Sequence, residues 1–227
     1  GGPPRCVDDE EPEHVAEAAD RLQLDHVVIT SVTRDDLPDG GSAHFARTIR
    51  AVRARSAATV EVLTPDFQGC REDIGRVITA GPDVYNHNVE TVPRLYPEVR
   101  PEADYQRSLA LLEQVANSGL IAKSGIMVGL GESQSEVDEV LADLRAAGCR
   151  SLTVGQYLSP SEDHHPVVEF ISPESFAEYE KKARELGFES VASGPFVRSS
   201  YHAGEFAHKM LDVDRESEVV CQRKEKH

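Results

Sequence analysis

Apolar residues along this chain switch between two spacings. Short β-branched runs of strand character alternate with longer stretches in which apolar positions recur every three or four residues, as on one face of a helix. The first helical stretch runs from Glu10 to Leu24, with Val15, Ala18, Ala19 and Leu22 at helical spacing after an acidic, Pro-containing start. HVVITS (His26 to Ser31) then reads as a strand, Ser42 to Arg55 as a helix and TVEVL (Thr59 to Leu63) as a strand. Arg71 to Ala80 is helical, DVYNHN (Asp83 to Asn88) is a strand that turns polar at its end, and Asp104 to Asn117 is a strongly patterned helix. Strands at Ala122 to Met127, Ser151 to Gly155 and Phe188 to Ala192 are separated by helices at Ser133 to Ala147 and Pro173 to Leu186.

Six strand candidates separated by helices imply right-handed crossovers and parallel pairing. No Gly-rich dinucleotide fingerprint follows the first strand. The pattern therefore predicts an open or partial α/β barrel over residues 1–203 in preference to a doubly wound sheet. Residues 204–227 read as a charged, peripheral tail.

The 227 residues suffice to bury a core, and charged residues make up 28% of them. No apolar run reaches the roughly 18 residues of a membrane span. With no secretory pattern at its start, the expected location is cytoplasmic. Asp and Glu number 40 against 24 Lys and Arg, a net charge of −16, which argues against binding to nucleic acid or anionic membranes. Such an acid excess suits either a high-salt cytosol or an ordinary acidic cytosolic protein. The four cysteines, Cys6, Cys70, Cys149 and Cys221, form no CxxC or CxxxC pair. Cys149, beside Gly148 at a helix end, reads as a small packing residue.

In barrels of parallel strands, function gathers where strands end. Ser31 ends the first strand. At the third, Asn86, His87, Asn88 and Glu90 combine two amides, an imidazole and a carboxylate. Asn86 and Asn88 share a face, and this set suits a ligand with ribose hydroxyls and an amino group, although it also suits a simple turn. Met127 to Glu132 (MVGLGE) is a strand running into a Gly-broken loop whose amides could approach a ligand. Lys123, the first Lys of the chain, reads as a solvated strand end. Gln156 follows the fifth strand. Asp163, His164 and His165 lack a third partner at metal-ligand spacing. Arg198, Ser199, Ser200 and Tyr201 follow the last strand and by composition form a turn or helix cap.

Six of these segments, in order, resemble the lipoyl synthase family of the radical S-adenosylmethionine superfamily. They are VVITSVTRDDLPDGGSAHF from Val27, VEVLTPDF from Val60, DVYNHNVETVPRLYPEVRP from Asp83, KSGIMVGLGES from Lys123, LTVGQYLSPSEDHHPV from Leu152 and GPFVRSSYHA from Gly194. The resemblance implies a partial (β/α) barrel of the radical SAM type with two 4Fe-4S clusters. One would sit in a CxxxCxxC loop and bind S-adenosylmethionine. The other would be held by N-terminal cysteines and a serine of the RSSY motif. Both cysteine sets and the first barrel strand are expected upstream of Gly1, with Gly1 to Pro4 resembling the stretch that follows the cluster loop.

The implied activity is sulfur insertion at C6 and C8 of an octanoyl group. That group would be borne by a lipoyl-carrier domain or H protein, with electrons from a ferredoxin or flavodoxin. Ser200 or Ser199 would ligate the auxiliary cluster, a hard oxygen donor suited to an iron that must leave. Arg198 would steady that cluster or the sulfur-bearing intermediate. Asn86, Asn88, Glu90, Gly129, Gly131, Glu132, Ser31 and Gln156 would line the S-adenosylmethionine site. As written, the chain is expected to be inactive without the cluster cysteines. Rival readings are a Schiff-base or phosphate-binding barrel enzyme, for which Lys123 is the lysine candidate, and a non-catalytic nucleoside-binding barrel.

Overall fold

The computed structural model describes residues 6–224, with backbone alone for Val213 and residues 215–224. Gly1 to Pro4 and the Cys221 side chain lie outside the described residues. Six strands, β1 (His26–Thr30), β2 (Thr59–Leu63), β3 (Val84–Asn86), β4 (Ile121–Val128), β5 (Ser151–Gln156) and β6 (Ser190–Gly194), form one parallel sheet in strictly sequential order. A doubly wound sheet would reverse direction at a switch point, so this order is that of a barrel wall. The helices α1 (Glu11–Arg21), α2 (Ser42–Arg55), α3 (Arg71–Ala80), α4 (Tyr96–Val99), α5 (Tyr105–Asn117), α6 (Gln134–Ala146) and α7 (Pro173–Glu185) fall between the strands.

Side chains alternate across each strand. Val60, Val62, Tyr85, Ala122, Ile126, Leu152 and Val154 point outward into one large core shared with helix residues such as Ile49, Leu112, Leu141 and Phe176. Their neighbours Glu61, Val84, Asn86, Lys123 and Gly125 point into the concave face. Helix starts follow from side-chain caps. Asp104 accepts from the Arg107 amide, and Ser133 with Glu136 forms a complete capping box.

Two expectations change. The tail read over residues 204–227 does not stay peripheral, because the chain after Gly194 leads it back onto the barrel. That chain turns back along the concave face and continues as helix α8 (Ala203–Lys224). Ala207 and Met210 are buried there against Val84 and Ile121, and Arg150 holds Asp214 with two hydrogen bonds of 2.9 and 2.7 Å. Ala203, Ala207 and Met210 recur at helical spacing. That signal is present in the sequence, but the surrounding charges obscure it.

Lys123 is not a solvated strand end. Its side chain is 4% exposed and its Nζ lies 2.7 Å from Glu61, which is 1% exposed. Asn86 Nδ2 donates to the same Glu61 oxygen at 3.3 Å, and His26 Nε2 stands 3.8 Å from the other, an ion-pair distance beyond hydrogen-bond reach. Burial pushes the Glu61 carboxyl up, but His26 and Lys123 together pull it below its ordinary value. A lysine held in this pair is not a free amine, which removes the Schiff-base reading of Lys123.

Candidate active site at the strand ends

The ends of β3 to β6 enclose a cavity of about 300 Å³. Asn88, Glu90, Gly125, Met127, Thr153, Gly155, Arg198 and Ser199 are among its walls. A break in the β3–β4 ladder shapes it. Asn86 pairs with Lys123, but Glu90 pairs with Ile126, so four steps along β3 answer three along β4. This is a β-bulge, a device that re-aims side chains beside binding sites. Glu90 rejoins the ladder on both sides, its N–H donating to Gly125 O at 3.1 Å and its carbonyl accepting from Met127 N at 2.8 Å. The bulge holds Glu90 at φ 67°, a strained conformation for a residue with a side chain.

Asn88 Nδ2 donates to Glu90 Oε1 at 3.2 Å, while Asn88 Oδ1 is buried and without a partner. An orphaned acceptor beside a cavity is a mark of a missing donor. Burial raises the Glu90 pKa, against the lowering effects of the Arg100 charge and the Asn88 hydrogen bond. Opposite, the Arg198 guanidinium donates only to its own loop, to the Val197 carbonyl at 2.6 Å and the Pro195 carbonyl at 3.5 Å. The cavity thus has an acidic and amide side facing a basic side.

Small residues make its floor. A Cβ on Gly125 would stand 2.6 Å from Thr153 Oγ1 and 2.9 Å from Asn88 Oδ1. One on Gly155 would run into the Val197 carbonyl. Both glycines are therefore required by close approach. A second cavity of about 350 Å³ shares Glu90 and Met127 and is bounded by Glu98, Arg100, Tyr157, His164 and His165.

Of the residues singled out in the sequence, the structure brings Asn88, Glu90, Gln156, Arg198 and Ser199 to the first cavity. Gln156 is committed to the backbone. Its Nε2 donates to Tyr157 O at 3.0 Å and Glu169 O at 2.9 Å, and its Oε1 accepts from Ile171 N at 2.8 Å. Gln156 thereby staples the 169–171 segment to the wall. Asn86 does share the concave face but lies one layer deeper, with Glu61.

Glu132 accepts from the Gly129 and Leu130 amides at 2.6 and 2.9 Å, so those amides are already occupied. Gly129 and Gly131 border neither cavity. Ser31 lies apart, bonded to Val32 O at 2.9 Å beside a different cavity at the β1 edge. Ser200 is exposed in the turn, whereas Ser199 reaches the cavity wall.

His87 is structural. Its Nδ1 donates to Thr64 O at 2.9 Å, its Nε2 accepts from Ser108 at 3.0 Å, and burial lowers its pKa. His164 and His165 bond apart, to Ser161 and Leu130 O respectively. Arg100 and Thr153 escaped the sequence reading. Gly125 had a signal, an isolated glycine inside a strand. Arg100 had none, since its role depends on where the chain folds back.

The donor set fits S-adenosylmethionine: unpaired oxygen acceptors for hydroxyl and amino groups, a cation for a carboxylate, and a glycine floor. The described cysteines by themselves form no iron–sulfur site. Among the described residues no group of three metal ligands exists. Cys70 bonds Glu72 outside the barrel, Cys6 is exposed, and Cys149 is fully buried with its thiol pushed up to about 12.

Among the described residues no helix is long and apolar enough to cross a membrane. The Radical SAM superfamily model matches residues 1–144. The lipoyl synthase of Caldanaerobacter subterraneus subsp. tengcongensis is 59% identical over 204 residues, covering 89% of this chain and 72% of that protein. That of Alkaliphilus metalliredigens is 53% identical over 206 residues, covering 89% and 71%. Among solved structures, methylornithine synthase (PylB) aligns with a TM-score of 0.60 at 11% identity, covering 84% of this chain and 63% of that one. Streptococcus suis SuiB aligns at 0.62 and 10% identity, covering 83% and 44%. These two show the fold alone. Family model and relatives agree that the chain belongs to the lipoyl synthase family of radical SAM enzymes, a family that works with a 4Fe-4S cluster and S-adenosylmethionine.

Proposed function

We propose that this chain forms the barrel wall of an enzyme that inserts two sulfur atoms, at C6 and C8 of a protein-bound octanoyl group. The observation that carries this is the β3 bulge. It presents the unpartnered Asn88 Oδ1 and the Glu90 carboxylate across a glycine floor from Arg198. When bound, S-adenosylmethionine supplies the adenosyl group and sulfonium of the radical chemistry.

Asn88 and Glu90 accept from its hydroxyl or amino groups. Gly125 and Gly155 let it approach the backbone. Met127 and the buried Val197 give the cavity apolar wall that limits water there. Arg198 offers a positive charge at the rim, and a hydroxyl of Ser199 or Ser200 is the oxygen donor to a second, sulfur-donating cluster. The sequence does not choose between the two hydroxyls; of the two, Ser199 borders the cavity. The carrier is an octanoylated lipoyl domain or H protein, and the electron donor a ferredoxin or flavodoxin. With a net charge of −16 on the chain, docking relies on local Arg residues and apolar contact rather than on net charge. By this proposal the 227 residues alone make no lipoyl groups, because no cysteine set in them can hold a cluster.

Calorimetric titration with S-adenosylhomocysteine tests the site. Glu90→Gln and Asn88→Ala are each expected to weaken binding about tenfold, the size of a lost hydrogen bond to a buried polar partner. Equal affinity in all three proteins, or none in the parent, would overturn the assignment of the cavity.

A further inference from the structure

The bulge that aims Asn88 and Glu90 creates a structural debt. Between Asn86 and Glu90 the chain leaves the ladder, so the carbonyls of Asn88 and Val89 lose their sheet partners. The chain itself meets part of this, Thr91 N donating to Val89 O at 2.8 Å, and two side chains from one short segment supply the rest. Arg100 Nη1 donates to Asn88 O at 3.2 Å and Val89 O at 3.3 Å, and Tyr96 OH donates to Val89 O at 2.7 Å. The same guanidinium lies 5.8 Å over the Tyr96 ring. Its own backbone is fixed, because Arg100 N caps α4 by donating to Tyr96 O at 2.8 Å and Pro101 follows.

We infer that Arg100 is a positioning residue: with Tyr96 it stands in for the missing strand partners of the bulge and so holds Asn88 and Glu90 toward the cavity. Its significance for ligand binding rests on the function proposed above. Arginine suits the place better than lysine, since one planar group serves two carbonyls while its face rests on an aromatic ring. The Arg100 charge also opposes the upward effect of burial on Glu90.

Amide hydrogen exchange tests the inference without any ligand. The reporters are the amides of Glu90 and Met127, which bond to Gly125 O and Glu90 O. In Arg100→Met they are expected to exchange at least about tenfold faster, while the Tyr157 amide bonded to Val128 O on the far side of β4 keeps its rate. Arg100→Lys should recover part of the protection. Tyr96→Phe, which keeps the ring and removes one donor, should loosen the same two amides to a smaller degree and covers the case in which Arg100→Met fails to fold.

S-adenosylhomocysteine affinity should fall about tenfold in Arg100→Met. Unchanged protection of Glu90 and Met127 in Arg100→Met or, failing that protein, in Tyr96→Phe would overturn the inference, as would uniform acceleration of every amide. Absence of ligand binding in the parent chain would instead remove the proposed function and leave the exchange rates to decide.

Discussion

Replacing Lys123 by Met is expected to cost about 3–5 kcal/mol of stability near neutral pH, the usual penalty for stranding one member of a buried ion pair. Glu61 would remain in the barrel interior, 1% exposed, with only Asn86 and a His26 ring beyond hydrogen-bond reach beside it. In the parent chain the Glu61 pKa is lowered, so the pair contributes stability above the carboxyl's unfolded value and loses it as pH falls through the lower folded value. Without the cation, burial dominates and the carboxyl pKa rises above its unfolded value. The deficit of the variant should therefore be largest at neutral pH and shrink in mild acid, where Glu61 is protonated when folded. The double variant Lys123→Met/Glu61→Gln should regain most of the loss, because Gln still accepts from Asn86 and no charge is stranded. Urea denaturation of the three chains at two pH values measures this. A single variant as stable as its parent would mean that the pair is hydrated.

The second large effect is expected from Gly155→Ala. A Cβ there meets the Val197 carbonyl, and backbone cannot swing aside as a flexible side chain would. The loop carrying Arg198 and Ser199 must then move off β5, at a cost of about 1–3 kcal/mol for overpacking. It takes one side of the cavity with it. Affinity for S-adenosylhomocysteine should drop by more than about tenfold. Gly75→Ala is the contrasting control. It lies in α3, where the nearest atom to an added Cβ is the end of Gln114 at 3.8 Å, so helix propensity favours a gain of up to about 1 kcal/mol. Similar behaviour of the two variants would show that the β5 wall and the loop are not in contact.

Much of the wall was legible because strand and helix periodicities are local. The bounds of α2, β2 and α3 coincide with the stretches read from TVEVL and its flanking helical patterns. β6 begins two residues later than its apolar run suggested, because Phe188 is spent on the outer core before the ladder to β5 starts at Ser190. Asn88 and Glu90 were found as polar residues at strand ends, where a parallel barrel gathers its chemistry, whereas Arg198 and Ser199 read as a turn or helix cap and gained a role only through the family motif. Ser31 and Gly129 to Glu132 came from the same strand-end reading, and the family motifs pointed to them as well. Motif membership does not say what a side chain touches, and Glu132 satisfies its own loop.

The sequence by itself determined the parallel βα order, the lipoyl synthase kinship and the set of polar strand ends. Those follow from spacing and residue type along one dimension. Only the tertiary structure decided that Lys123 is buried against Glu61, that α8 covers the concave face, and that Arg100 carries the carbonyls of the β3 bulge. Each joins residues far apart in the chain or depends on a one-residue slip in register. Burial and register arise when strands meet, and composition at a single position carries no record of them.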